Sequence, residues 1–157
     1  MALASVAAPV SAKMNVLFIM SDDMRPELAG PWGLPWMHTP NIQRLAKQGT
    51  TFSRAYCQVA VCAPSRTSLL TGIYNDYARV WTIGPYFRKS MAPQLAAPNA
   101  LATIPQHFKE SGYNASGFGK IFHQGGPSGG EGGLGGGDAP FSWSESYWFC
   151  DQCAYQS

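Results

Sequence analysis

Asn15-Val16-Leu17-Phe18-Ile19-Met20, followed at once by Ser21-Asp22-Asp23, decides how the chain is read. A strand with one wet face alternates apolar and polar residues, whereas a strand covered on both faces stays apolar throughout. The run therefore predicts a buried strand of a parallel sheet flanked by helices. Downstream, Thr39-Pro40 predicts a helix start, because threonine can cap and proline suits the first helical position. Ile42, Leu45 and Ala46 give that helix an i, i+3, i+4 apolar stripe, and Gly49 marks its stop. Residues 50–56, rich in β-branched and aromatic side chains, predict a second extended segment. A short helix is expected over residues 64–71, ending at Gly72. Residues 74–99 carry prolines and aromatics without periodicity and read mostly as loop. Residues 103–112 repeat the pattern of threonine, early proline and terminal glycine, and residues 113–118 predict another strand. Strand followed by helix, twice over, implies an α/β architecture.

At 157 residues the chain is long enough for one hydrophobic core. An apolar fraction of 45% with 13% charged residues excludes a disordered chain. A formal charge of +2, with scattered basic residues, gives no footprint for nucleic acid or an anionic membrane. No apolar run approaches the roughly 20 residues that span a bilayer. Residues 1–13 are small and weakly apolar, without the basic and strongly apolar regions of a secretion signal, and are read as a leader. Residues 124–140 are glycine-rich and read as a flexible loop, leaving 141–157 as an aromatic tail. Of four cysteines, Cys150 and Cys153 form a lone CxxC. Zinc needs about four ligands and no second pair is present, so a disulfide or two thiols is the expectation there.

Two places carry chemistry. Asp22 and Asp23 follow the predicted strand, and functional groups of open α/β sheets gather at the carboxyl ends of strands. Adjacent carboxylates repel, and a hard cation such as Ca²⁺ or Mg²⁺ relieves the repulsion; the alternative is a pair that caps a turn. The second place is Val61-Cys62-Ala63-Pro64-Ser65-Arg66-Thr67-Ser68-Leu69-Leu70-Thr71-Gly72. A cysteine beside a helix start lies where amide N–H groups and the helix dipole favour an anion. Arg66, one turn on, can fold back towards that cysteine or a bound oxyanion. The residues alone leave two readings open: a reactive cysteine beside an anion site, or a buried structural one.

Cys62-Ala63-Pro64-Ser65-Arg66 followed by Thr67-Ser68-Leu69-Leu70-Thr71-Gly72 resembles the signature of the sulfatase family, whose cysteine is oxidised to Cα-formylglycine. The aspartate pair about 40 residues upstream and Thr39-Pro40-Asn41-Ile42-Gln43-Arg44-Leu45-Ala46 fit the same family. Asp22-Asp23-Met24-Arg25-Pro26, Ala60-Val61-Cys62-Ala63-Pro64, Gly84-Pro85-Tyr86-Phe87-Arg88 and Gly119-Lys120-Ile121-Phe122-His123 resemble its iduronate-2-sulfatase branch. The resemblance runs from about residue 15 to residue 123, and residues 14–123 are taken as the N-terminal part of a catalytic domain. It implies an alkaline-phosphatase-like sandwich with a mostly parallel central sheet flanked by helices.

Residue by residue, the resemblance implies that Asp22 and Asp23 are Ca²⁺ ligands. It makes Cys62 the formylglycine precursor, which also touches the metal. Arg66 would stabilise the formylglycine hydrate, and Lys120 and His123 would contact sulfate and nucleophile. On the residues alone, Lys120 and His123 read as surface groups, and His38 and His107 stay structural or exposed. The implied reaction is hydrolysis of a sulfate ester on a sugar or glycosaminoglycan. One hydroxyl of the aldehyde hydrate attacks sulfur and the second later expels sulfate, while Ca²⁺, Arg66 and Lys120 compensate charge. The implied partners are that substrate and the formylglycine-generating enzyme; the implied compartment is the secretory route, a lysosome or a periplasm.

The family also places a second pair of Ca²⁺ ligands, another lysine and another histidine later than residue 157. Asp138 and Asp151 are the aspartates after Lys120 here, and neither follows a strand-like run. Two carboxylates leave a cation of six to eight ligands short of partners, so this chain alone is expected to be inactive or nearly so. The alternatives are a truncated, non-catalytic sulfatase-like protein, or a phosphatase or phosphonate hydrolase of the same superfold. Pro64-Ser65-Arg66 after the cysteine favours the sulfatase.

Overall fold

Proline inside a helix costs a hydrogen bond only after the first turn, because the first N–H groups have no acceptor four residues back. In the computed structural model the helix around the cysteine motif uses that freedom. It describes residues 13–28, 33–83, 87–90, 100–122, 138 and 141–145. By contacts the chain divides into two units, Met1–Thr51 and Phe52–Ser157.

In the first unit, residues 15–20 belong to no helix or strand, and Leu17 and Ile19 are 84% and 78% exposed. The predicted buried strand is therefore not formed among the described residues. A strand exists only where neighbouring backbone takes up its N–H and C=O groups, and no described segment does so here. A turn at Asp22 and Asp23 leads into a 3₁₀ turn, Pro26–Leu28. Helix α1 spans Pro40–Gln48. Its start and stop fall where Thr39-Pro40 and Gly49 predict them, yet the Thr39 hydroxyl caps nothing and donates instead to the Leu28 carbonyl at 2.7 Å. Its apolar stripe is uncovered: Ile42 and Leu45 are exposed and no residue of the helix is buried.

The second unit holds the core. Helix α2, Cys62–Thr71, begins two residues before the predicted start, with Val61 extended ahead of it and Pro64 inside the first turn. Its first backbone bond runs from the Ser65 N–H to the Val61 carbonyl at 3.1 Å. It ends at Gly72, whose φ of 73° is open to glycine without the usual Cβ penalty, and whose N–H donates to the Ser68 carbonyl at 2.8 Å. The short helix α3, Asn75–Ala78, is pinned to α2 by Asn75, which accepts from the Ser68 hydroxyl at 3.0 Å and donates to the Val80 carbonyl at 2.9 Å. Helix α4, Phe87–Ser90, also falls within the segment expected as loop. Both are single turns, too short to show a period in sequence.

Helix α5, Ile104–Glu110, realises the capping pattern: the Thr103 hydroxyl accepts from the Gln106 N–H at 3.2 Å. Gly112, with φ 82°, turns the chain out of it. Residues 50–56 and 113–118 form no strand; the latter carries one isolated bridge residue, Phe118. What pairs with the latter is the Ser144 segment: the Ser144 N–H donates to the Ala115 carbonyl at 2.8 Å and the Ala115 N–H to the Ser144 hydroxyl at 3.0 Å. Ala63, Leu70, Ala78, Val80, Phe87, Phe122 and Trp143 make the core, with the Phe87 and Phe122 rings stacked at 5.1 Å. The glycine-rich residues 124–137, the CxxC and the tail beyond residue 145 lie outside the described residues.

Candidate active site

Helix α2 is almost uniformly buried on the side that carries Ala63, Pro64, Arg66, Thr67, Leu70 and Thr71, so its first turn is fixed to the core. Cys62 is the first helical residue, half-buried, with its sulfur in no disulfide. Pro64 has no N–H and the Ser65 N–H goes to the Val61 carbonyl, so the Cys62 and Ala63 amides lie ahead of the first helical bond, at the positive end of the helix dipole. Cys62 thus stands at the start of the helix that the sequence predicts next to it.

Arg66, one turn further, is 5% exposed. Its Nη1 donates to the Lys120 carbonyl and, at 3.0 Å, to the Ile121 carbonyl. A charged donor on two carbonyls is a strong link, and it joins α2 to a segment 54 residues away. Lys120 is half-buried, and Gly119 before it has φ 69°. A Cβ at Gly119 would meet nothing within 4 Å, so backbone conformation alone calls for glycine there. Cys62, Arg66 and Lys120 therefore belong to one connected part of the second unit. His123 lies outside the described residues.

In the first unit, Asp22 is half-buried and Asp23 exposed, and a carboxylate oxygen of one lies within 4.8 Å of one from the other. Asp23 has φ 48°, a left-handed conformation that aspartate tolerates better than most residues. A Ca²⁺ ion binds oxygens at about 2.3–2.6 Å, so it can bridge two that are up to about 5 Å apart. The pair fits a hard cation.

Sequence reading missed the most polar part of the core. Arg88 and Asp138, 5% and 1% exposed, form a buried ion pair, with Thr103, Gln106 and Ser142 buried around it. Arg88 stands in a quoted motif, but nothing around Asp138 in the glycine-rich stretch signals a buried carboxylate.

The family model described as Sulfatase matches residues 14–156. Iduronate 2-sulfatase of Homo sapiens is 43% identical over 131 residues, covering 83% of this chain and 22% of that protein. Iduronate 2-sulfatase of Mus musculus is 41% identical over 145 residues, covering 91% of this chain and 24% of its own length. A protein of Formosa agariphila described as a sulfatase is 34% identical over 117 residues, 74% of this chain and 23% of that one. The chain thus spans under a quarter of the length of these curated relatives. No solved structure matches it at the level required of a relative.

Proposed function

The chain belongs to the sulfatase family, and on that premise we propose that it carries the nucleophile of a sulfuric ester hydrolase. The substrate class is a sulfated sugar or glycosaminoglycan, on the strength of relatives named iduronate 2-sulfatase. The α/β fold of the family extends, in this reading, to an alkaline-phosphatase-like sandwich in which residues 15–20 enter a parallel sheet. Residues 14–123 are its N-terminal portion, and of the residues after them Trp143 packs in the core. The expected route is secretory, lysosomal or periplasmic. No helix among the described residues is long and apolar enough to cross a membrane.

The observation that carries the proposal is Cys62 at the first turn of α2, with Arg66 tied to the backbone of Lys120. Conversion of Cys62 by a formylglycine-generating enzyme supplies an aldehyde hydrate, the oxygen nucleophile that attacks sulfur. Asp22 and Asp23 would hold Ca²⁺, which would supply charge compensation for the sulfate oxygens. The rest falls to side chains. The positive end of the α2 dipole favours an anion at residue 62. Arg66 is a positive charge one turn away, and its bond to the Lys120 carbonyl ties the Lys120 backbone to α2. Lys120 donates to a sulfate oxygen. His123, three residues on, is assigned to contact the sulfate and the nucleophile.

Calorimetric binding of 4-nitrocatechol sulfate in the presence of Ca²⁺, to protein coexpressed with the converting enzyme, tests this. Binding should be lost in Cys62→Ala and in Asp22→Asn/Asp23→Asn, and should exceed that of the matching phosphate ester. Undiminished binding in both variants would remove residue 62 and the aspartate pair from the site.

A further inference from the structure

We propose that the buried Arg88–Asp138 pair is a positioning device for Lys120. The inference rests on the reading that Lys120 meets the sulfate, and it adds residues to which no role has been assigned. Their side chains are 5% and 0% exposed. A buried ion pair is a poor way to gain stability, because desolvating two charges offsets their attraction; its best-attested use is to fix one arrangement over others. The contacts of this pair are directional. Arg88 Nε donates to one carboxylate oxygen of Asp138 and Nη2 to the other at 2.6 Å. Nη2 also donates to the Gln106 side-chain oxygen at 2.8 Å, and Nη1 to the Leu101 carbonyl at 3.2 Å. The guanidinium lies over the rings of Phe87 and Phe141, at 5.2 and 4.8 Å from their centres. Asp138 in turn accepts from the Ser142 hydroxyl, which is bonded to that of Thr103, the cap of α5. Helix α4, the start of α5, Asp138 and residues 141–142 are thereby linked.

That linked group meets the Lys120 segment at the stacked rings of Phe87 and Phe122. Phe87, adjacent to Arg88, stacks on Phe122 with the ring planes 11° apart, and Phe122 is two residues after Lys120. On the other side, Arg66 of α2 holds the carbonyls of Lys120 and Ile121. The Lys120 segment is thus gripped from α2 by a guanidinium and from α4 by a ring whose helix the Arg88–Asp138 pair anchors. Loosening the second grip leaves Lys120 attached but less confined.

Acylation of lysine amines by an N-hydroxysuccinimide ester, read residue by residue by mass spectrometry on the full chain, tests the proposal. Exposed Lys47 serves as the internal reference. Phe122→Leu keeps an apolar side chain and removes the stack; Phe122→Tyr keeps the ring; Asp138→Asn removes the charge with little change of shape. The Lys120 rate relative to Lys47 should change several-fold in Phe122→Leu and in Asp138→Asn, and stay at the native value in Phe122→Tyr. An unchanged Lys120 rate in Phe122→Leu overturns the proposal, whether or not Asp138→Asn folds. So does a parallel change at every lysine, which marks general loosening. Neither outcome depends on what residue 62 becomes, so failure here is separable from failure of the sulfatase reading.

Discussion

Replacing Arg88 with methionine should be among the most damaging single changes to the second unit. Methionine fills comparable volume, so the cost is electrostatic. Asp138 stays buried with its carboxylate deprived of both guanidinium bonds, and Gln106 and the Leu101 carbonyl each lose a donor. Breaking a buried pair from one side costs about 3–5 kcal/mol. A domain of this size has about 5–15 kcal/mol in total, so a large share of its stability goes. With a urea dependence of about 2 kcal/mol per molar, the unfolding midpoint should fall by roughly 2 M. Urea unfolding followed by tryptophan fluorescence is a suitable assay, because Trp143 is 6% exposed in the core. The double variant Arg88→Met/Asp138→Leu should regain most of the loss, since neither charge is then stranded. A single-variant change below about 0.5 kcal/mol, typical of surface sites, would refute the reasoning and show the pair to be hydrated.

Thr103→Val should cost about 1–2 kcal/mol, by removing the oxygen that accepts the Gln106 N–H, whereas Thr103→Ser should restore most of it; thermal unfolding compares them. Gly72→Ala should cost about 1–2 kcal/mol for its left-handed φ of 73° alone, because a Cβ there meets nothing within 4 Å; a larger loss would point to a clash. Glu27 should titrate below the ordinary glutamate value in carbon-detected NMR, because Arg25 donates to its carboxylate. A depressed carboxylate stabilises above its unfolded value and loses that contribution as pH falls through the folded one, so the pair loosens on acidification. Arg25→Gln should return Glu27 to the ordinary range.

Local signals in the sequence were strong where one residue type has one job. Thr103 caps α5 and Gly72 closes α2, because each position demands a particular side chain or its absence; α1 also stops at Gly49, though in extended backbone that any residue adopts. The cysteine motif was readable for the same reason. Residues 15–20 carry a buried strand's apolarity, yet the described structure shows them exposed, because a strand is completed by neighbours and its own sequence cannot supply them. Thr39 stands at the expected helix start without capping it, and its hydroxyl donates to the Leu28 carbonyl, a contact no local pattern signals. The Arg88–Asp138 network was illegible because its members lie 50 residues apart and no periodic pattern joins them.

The central claim is that residue 62 becomes the formylglycine of a sulfatase. Tryptic cleavage after Arg54 and Arg66 yields a peptide containing both Cys57 and Cys62, so the unconverted neighbour is a built-in control. Mass spectrometry of that peptide, from protein coexpressed with the formylglycine-generating enzyme and alkylated before digestion, is the most direct measurement. The account predicts a single alkylated cysteine at 57, with sulfur replaced by an aldehyde oxygen at 62. Two alkylated cysteines in the same peptide would contradict it.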